Sequence, residues 1–480
     1  MRRWRCPPER TPAAQRAVFT KAARGYPGRP FSSAPCARRQ RQNRTDKEGH
    51  AMRVAVLGAG VIGVTTAWYL ARAGHEVVVV DRQEAAGMET SHANGGQISV
   101  SHALPWANPG APLKILRWLG REDAPLLFRP QADPAQWRWA LQFLFECLPQ
   151  RTRRNTARLV RLGLYSRRCL QELRRETGIC YDHLERGILH VYDDPRALAA
   201  AQEPARVMRE HGCDLRLLDA DEVLRIEPAL RQARQLVAGG TLTASDESGD
   251  AFLFTQALAA LAAQRGVAFR YGTPIRRLLG GASGIDGVEL QPADGPPQVL
   301  KADAYVCALG SYSPLLLAPL GLRLPVYPAK GYSATLPIRD ATMAVAGSVT
   351  DEGRKIVFTR LGERLRIAGT AELAGYDSGL NRVRCEALVS RALQLFPGVA
   401  RPEEAAYWTG LRPSTPSNLP CVGPTRIRNL FLNTGHGTLG WTHACGSASA
   451  LADVVSGQRP EVELPGLVAA RANVVAVQRP

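Results

Sequence analysis

The feature that most constrains this chain is a glycine-rich turn between an apolar strand and a helix near residue 60. Residues 53–57 read RVAVL, which is typical of a buried parallel strand, and G-A-G-V-I-G follows at 58–63. In such a turn the first glycine permits a tight bend and the second lets backbone approach a pyrophosphate. The third lets the helix lie close to the sheet. The segment predicts a dinucleotide-binding βα unit, whose contact residues would be Val56, Leu57, Gly58, Ala59, Gly60, Val61, Ile62 and Gly63.

A second strand, EVVVV at 76–80, ends at an acid that narrows the choice of dinucleotide. Asp81 lies 21 residues after Gly60, where a carboxylate would accept hydrogen bonds from a ribose 2′-hydroxyl. An acid at this place disfavours a 2′-phosphate, and therefore disfavours NADP as the cofactor. We predict that Asp81 and the adjacent Arg82 contact the cofactor, but this unit alone does not distinguish FAD from NAD.

Three later segments favour a flavin. The chain breaks into T-S-H-A-N-G-G-Q at 90–97, a buried-strand pattern at 303–309 ends at Gly310, and a short strand at 429–433 opens into T-G-H-G-T-L-G-W at 434–441. A helix of small residues, predicted over 444–455, follows that last loop. Its positive N-terminal end would stabilise the negative charge of a reduced flavin. The predicted cofactor contacts here are Ser91, Asn94, Gln97, Gly310, Gly437, Thr438 and Leu439.

Each of these loops, taken alone, is equally compatible with an ordinary surface loop. His92 and His436 lie in two of them and could contact a flavin, although a loop histidine with a satisfied hydrogen bond is the commoner case.

Taken together, residues 52–459 resemble the D-amino-acid dehydrogenase family of the D-amino-acid oxidase-like flavoproteins. The matching segments are VLGAGVIGVTTAWYLARAGHEVVVVDR (56–82), ETSHANGGQIS (89–99), PVYPAKGYS (325–333), WTGLRPSTP (408–416) and LNTGHGTLGWTHACGS (432–447). Two departures stand out. Ser417 and Asn418 replace an acid and a glycine, and His443 replaces a nonpolar residue.

The resemblance implies an FAD enzyme that transfers a hydride from the substrate Cα to flavin N5. The imino acid would hydrolyse to a 2-oxo acid and ammonia, and the electrons would pass to a quinone-linked respiratory acceptor. This would be a role in amino-acid catabolism. The alternative is a glycine or sarcosine-type amine oxidase that shares the fold and uses oxygen.

Substrate orientation requires a handle on the carboxylate that all amino acids share. Arg412, in G-L-R-P, is the candidate, because a guanidinium can hold a carboxylate through two parallel hydrogen bonds and similar flavoproteins place an arginine there. Tyr332, in K-G-Y-S, could donate a further bond, or it could be a packed strand tyrosine.

The charge of +18 does not indicate nucleic-acid binding, because it is unevenly distributed. Residues 1–51 hold 13 Lys or Arg against three acids, and so account for +10 of it. This basic extension resembles a mitochondrial transit peptide in composition. The alternative, which we favour because Met52 directly precedes the first strand, is that 1–51 is disordered or not translated. No nucleic-acid partner is therefore predicted.

The expected fold class is α/β. A Rossmann-type FAD-binding domain (52–105 with 245–320 and 405–458) is combined with a discontinuous α+β substrate domain (106–244 with 321–404), and 459–480 form a C-terminal tail. Ten scattered cysteines without a C-x-x-C pair suggest neither a metal site nor a disulfide framework. We expect a cytoplasmic protein. Four tryptophans interleaved with basic residues over 104–149 suit either domain core or peripheral contact with the inner face of the cell membrane.

Overall fold

A computed structural model describes residues 51–118, 120–122 and 124–464. The predictions for the basic extension before Ala51 and for the tail beyond residue 464 lie outside the described residues. Among the helices that the structure describes, none combines the length and apolarity needed to span a bilayer.

The strands, numbered in chain order, are β1 (Arg53–Leu57), β2 (Glu76–Val80), β3 (Gln97–Ile98), β4 (Leu126–Phe128), β5 (Ile188–Tyr192), β6 (Leu215–Asp219), β7 (Gly239–Thr243), β8 (Glu247–Ser248), β9 (Ala268–Arg270), β10 (Ile275–Gly281), β11 (Gly284–Leu290), β12 (Gln298–Leu300), β13 (Ala304–Cys307), β14 (Tyr327–Pro337), β15 (Ser348–Asp351), β16 (Ile356–Leu361), β17 (Arg364–Leu373), β18 (Ala406–Ser414), β19 (Cys421–Pro424) and β20 (Leu430–Thr434). The helices are α1 (Val61–Arg72), α2 (Ala111–Trp118), α3 (Pro134–Glu146), α4 (Pro149–Thr177), α5 (Pro195–Ala200), α6 (Gln202–Glu210), α7 (Ala220–Ile226), α8 (Ala251–Gln264), α9 (Ser313–Leu317), α10 (Arg382–Leu395) and α11 (Gly440–Val455).

The first sheet has the strand order β19-β20-β13-β1-β2-β9. All its pairs are parallel except β19 with β20. Because parallel strands need crossovers, helices cover the sheet: α1 packs against α8 and α11, and α11 packs against α4. Valines and alanines of the strands and helices form one buried core. This is the predicted Rossmann-type architecture.

Local signals placed α8 correctly. The predicted N-cap, Asp250, accepts hydrogen bonds from the backbone N–H of Phe252 (2.9 Å) and Leu253 (3.2 Å), and the helix ends at Gln264 as expected. The C-terminal helix α11 begins at Gly440, four residues before its predicted start, because the glycine loop itself continues into the first helical turn.

The second large sheet has the order β18-β14-β17-β16-β15-β5-β7-β6, with β4 paired to β17. One face is apolar and packs on α7 and α10 through a separate core. The other face carries Arg412, Ser333 and His190. The residue pairing between neighbouring strands places these three side chains on the same side of the sheet.

Two smaller sheets complete the structure, the antiparallel β10-β11-β12 and the β3-β8 pair. One element differs from our domain boundaries. Residues 405–458 were expected in the FAD-binding domain, but β18 pairs along its whole length with β14 of the second sheet. Strand pairing between distant segments sets this assignment, so local sequence does not reveal it. The other boundaries remain predictions.

Candidate active site

A cavity of about 390 Å³ opens where the parallel strands of the first sheet end. Gly58 follows β1, Asp81 follows β2, Gly310 lies beyond β13, and Thr434 closes β20; all four line the cavity. Parallel strands bring their carboxyl ends to one edge of the sheet, which is where ligands bind in folds of this kind. Four segments far apart in sequence therefore meet at one site.

The N-terminus of α1 faces this cavity through Gly60, Val61 and Ile62. No acidic residue lies in its first turn, so the positive end of the helix is left for an anion. The close packing behind it depends on Gly63, where an added Cβ would lie 1.8 Å from the carbonyl oxygen of Gly58. The helix can approach the turn this closely only because residue 63 has no side chain.

Asp81 is positioned by the turn that it follows. Its Oδ2 accepts from the Ala59 N–H (2.6 Å) and its Oδ1 from the Gln83 N–H (2.8 Å), and the side chain lines the cavity. Burial raises the pKa of Asp81, and the backbone hydrogen bonds oppose that shift. Both oxygens keep a lone pair that can accept a hydroxyl. Arg82 stacks on Tyr312 at 4.1 Å, beside the same cavity.

The loop at 90–97 connects this cavity to the second sheet. Ser91 and Asn94 line the cavity, and the Ser91 Oγ accepts from the Val61 N–H at 3.0 Å. Gln97 points elsewhere and donates to the hydroxyls of Ser348 and Thr350, both at 2.9 Å. Gln97 therefore fixes the loop to the polar face of the second sheet and does not line the cavity.

The C-terminal glycine loop contributes Gly437 and the first turn of α11, which likewise has no acidic residue in its first turn. Two buried polar atoms in the cavity wall have no partner in the described part of the chain, the Nδ1 of His436 and the Oδ1 of Asn433. Burial lowers the pKa of His436 to about 3, so its imidazole is neutral. A wall with two open helix ends, an acid and two unpartnered polar atoms suits a dinucleotide that carries both phosphates and a polar ring.

Of the predicted cofactor contacts, ten line the cavity and seven do not. Those outside the lining are Val56, Leu57, Ala59, Gly63, Gln97, Thr438 and Leu439. Val56, Leu57 and Ala59 are fully buried core residues, and Leu439 packs with Val100 and Leu419 in another cluster.

Arg412 lies on the polar face of the second sheet, beside the cavity. Its chain neighbours Leu411 and Pro413 line the cavity, and its guanidinium lies flat on Gly331, where an added Cβ would come within 2.2 Å of Cζ. The half-buried side chain donates one hydrogen bond, from Nη1 to the carbonyl of Thr370 at 2.6 Å. The Leu411 carbonyl accepts from Thr90 and Ser311, both at 2.9 Å, so three of the predicted segments meet here.

Tyr332 lies on the opposite face of the sheet, contrary to its predicted place beside the substrate. Arg412 pairs with Ala329, so the odd-numbered residues of β14 share its face and Tyr332 points the other way. There its hydroxyl donates to the Oε2 of Glu372, and Arg384 packs over its ring. Tyr332 is buried with the α10 core and is not brought together with Arg412.

Residues 53–454, which are most of the chain, match the sequence model of a protein family described as FAD dependent oxidoreductase. The chain belongs to this family. It is therefore an FAD-dependent enzyme, and the two open helix ends and the acid described above are the groups that suit this cofactor.

Among similar proteins, a D-amino acid dehydrogenase of Dechloromonas aromatica is 62% identical over 416 residues, which cover 87% of this chain and all of that one. A D-amino acid dehydrogenase of Paramagnetospirillum magneticum is 53% identical, over 87% of this chain and 98% of that one. The crystal structure of glycine oxidase from Geobacillus kaustophilus superposes with a TM-score of 0.67 at 23% identity, over 89% of this chain and all of that one, and so shares the fold.

Sequence reasoning missed several side chains of the cavity wall. Tyr312, Asn433 and Trp441 line it, and each lies within a few residues of a predicted strand end or glycine loop. The signal that could have found these residues is that ligands bind at the carboxyl ends of parallel strands.

The two departures from the family pattern are now explicable in part. Asn418 has a φ of +60°, a conformation that glycine adopts freely and asparagine tolerates. His443 is buried in α11, and burial lowers its pKa to about 4.

Proposed function

We propose that this FAD enzyme oxidises D-amino acids to imino acids, which hydrolyse to 2-oxo acids and ammonia. The observation that carries the proposal is Arg412, a half-buried cation beside the cofactor cavity that forms no ion pair with any described residue. The names of relatives that match over their whole length support the choice of D-amino acids.

An unpaired guanidinium in such a place is costly, and an anion would relieve the cost. Burial lowers the pKa of Arg412 to about 10, and the nearby positive charge of Arg384 adds to the shift. One of its nitrogens is held by the Thr370 carbonyl, which leaves the outer edge of the fork for a ligand. A carboxylate is the planar anion that matches this fork.

FAD, when bound, supplies the two-electron acceptor for the hydride that leaves Cα. The task of the protein is orientation. With the substrate carboxylate held by Arg412, the wall around it decides whether the single hydrogen at Cα faces the cofactor in the D- or in the L-enantiomer. Selection of the D-enantiomer then needs no side-chain base at Cα.

The test is turnover of the purified, FAD-loaded enzyme with D-alanine, L-alanine, glycine and sarcosine, using a dye acceptor and a parallel assay for hydrogen peroxide. We expect dye reduction with D-alanine, little with L-alanine, and no stoichiometric peroxide in air. Peroxide formation with glycine or sarcosine would instead support the amine oxidase alternative. Preferential oxidation of L-alanine would refute the proposal.

We further propose that the electrons pass to a membrane quinone and that α2 and α3 contact the membrane surface. The two helices contribute Ala111, Trp139 and Phe143 to one buried cluster and leave large apolar side chains in solvent. Those side chains are between 49% and 64% exposed: Leu113, Leu116, Trp137, Leu141, Leu144, Phe145 and, just beyond α3, Leu148.

On α3 the spacing 137, 141, 144, 145 places the exposed residues along one side of the helix. Exposed Lys114, Arg117 and Arg138 stand beside them, which suits anionic headgroups. A surface of this kind, apolar with basic flanks, favours peripheral attachment to a bilayer.

Co-sedimentation with liposomes tests the contact. The double variant Leu141→Glu/Phe145→Glu should lose binding to vesicles that contain anionic phospholipid, whereas Val383→Glu, which changes an equally exposed apolar residue on α10, should keep it. Equal binding by both variants would remove α3 from the contact. Failure of the wild-type enzyme to reduce a soluble quinone analogue would contradict the proposed acceptor.

A further inference from the structure

Outside the cofactor cavity, the structure brings two histidines and a glutamate together from three distant segments. His102 lies in the turn after β3, His190 in β5, and Glu352 just after β15. One ligand atom from each lies within 4.8 Å of the other two. The proposed function assigns this cluster no role.

Two of these side chains are already in direct contact. His190 Nδ1 lies 2.8 Å from Glu352 Oε1.

His102 supplies the third donor and is free to bind. Its ring is stacked beside that of His190, with centroids 5.8 Å apart, and neither of its nitrogens has a hydrogen-bond partner within the described residues. An unpartnered imidazole offers a ring nitrogen to a metal ion.

The surroundings hold the cluster in place. His190 Nε2 lies 3.2 Å from the Oγ of Ser101, whose hydroxyl donates to the buried Asp246 at 2.6 Å. Hydrogen bonds of this kind to the far nitrogen orient metal-binding histidines. Lys355 pairs with the other oxygen of Glu352 and competes with any cation for its charge.

We propose that His102, His190 and Glu352 form a binding site for a divalent transition metal of the Zn²⁺ type. Two imidazole nitrogens and one carboxylate oxygen are a donor set that such ions favour, with a fourth position left for water. The ion takes the place of the proton between His190 and Glu352, and that proton leaves to solvent.

Calorimetric titration of the FAD-loaded enzyme with ZnCl₂ tests the site. We expect one high-affinity Zn²⁺ per chain. His102→Ala should weaken that binding by at least tenfold, whereas His211→Ala, which removes a histidine outside the cluster, should leave it unchanged. An equal effect of both variants, or no saturable binding by the wild type, would overturn the proposal.

A second variant distinguishes loss of the Zn²⁺ site from loss of Zn²⁺ binding through misfolding. Lys355→Ala removes the competing cation from Glu352, so it should tighten Zn²⁺ binding, the opposite of the His102 effect. Weaker binding by Lys355→Ala would contradict the coordination proposed here. Anomalous scattering at the zinc edge from Zn²⁺-soaked crystals should place the ion between His102 and Glu352, and density at any other place alone would refute it.

Discussion

Replacing Arg412 by alanine should impair substrate use while the flavin stays bound. Each hydrogen bond between charged partners contributes about 1.5–3 kcal/mol. Loss of a two-bond clamp therefore costs at least about 3 kcal/mol, which is a fall of at least roughly 100-fold in kcat/KM for D-alanine. Arg412 is outside the cavity lining, so FAD content should not change.

Steady-state kinetics with a dye acceptor measure this effect, and the absorption spectrum reports bound FAD. Arg412→Lys keeps the charge but loses the fork, and should fall between wild type and alanine. Arg382→Ala is the matched control, because Arg382 is an exposed arginine of α10 whose one ion pair within the described residues is with Glu386. A change of less than about threefold in Arg412→Ala, with FAD retained, would refute the clamp and with it the reason for carboxylate recognition.

Three further predictions follow from the packing. Gly63→Ala places a Cβ 1.8 Å from the Gly58 carbonyl, so the purified variant should lack the flavin absorption of the wild type, and full occupancy would contradict the described packing. Tyr332→Phe should lower the free energy of unfolding by about 1–3 kcal/mol in urea titration, because Glu372 loses a buried hydrogen-bond donor. The KM for D-alanine should stay unchanged. A large rise in KM would instead indicate that Tyr332 contacts the substrate. The pKa of His443 is lowered from its usual value to about 4, so the unfolded chain takes up this proton first as pH falls, and stability is lost between about pH 6.5 and 4. His443→Leu should recover at most about 3 kcal/mol of that loss. An unchanged pH profile of stability in the variant would exclude this role of His443.

Much of the cofactor half could be predicted because its signals are local. The strand, glycine turn, helix and acid of residues 53–81 follow one another within a single unit, and Asp250 caps α8 through its own neighbours. The face of β14 on which Tyr332 lies could not be predicted. It depends on the pairing of Ala329 with Arg412, two residues far apart in sequence, and a shift of one residue would reverse every side chain.

Other features that depend on contacts between distant segments could not be predicted for the same reason. Helix α4 is rich in arginine, and its contacts with distant elements such as α11 show which side is buried. His102, His190 and Glu352 are three ordinary residues in sequence, and they form a cluster only after β5 and β15 pair.

The central claim is that the bound FAD accepts electrons from D-amino acids. The most direct measurement is the absorption spectrum of the FAD-loaded enzyme in the absence of oxygen, recorded after addition of D-alanine or L-alanine. The account predicts that D-alanine rapidly bleaches the visible absorption band of the oxidised flavin and that L-alanine does not. An unchanged spectrum with D-alanine, or equal bleaching by both enantiomers, would contradict it.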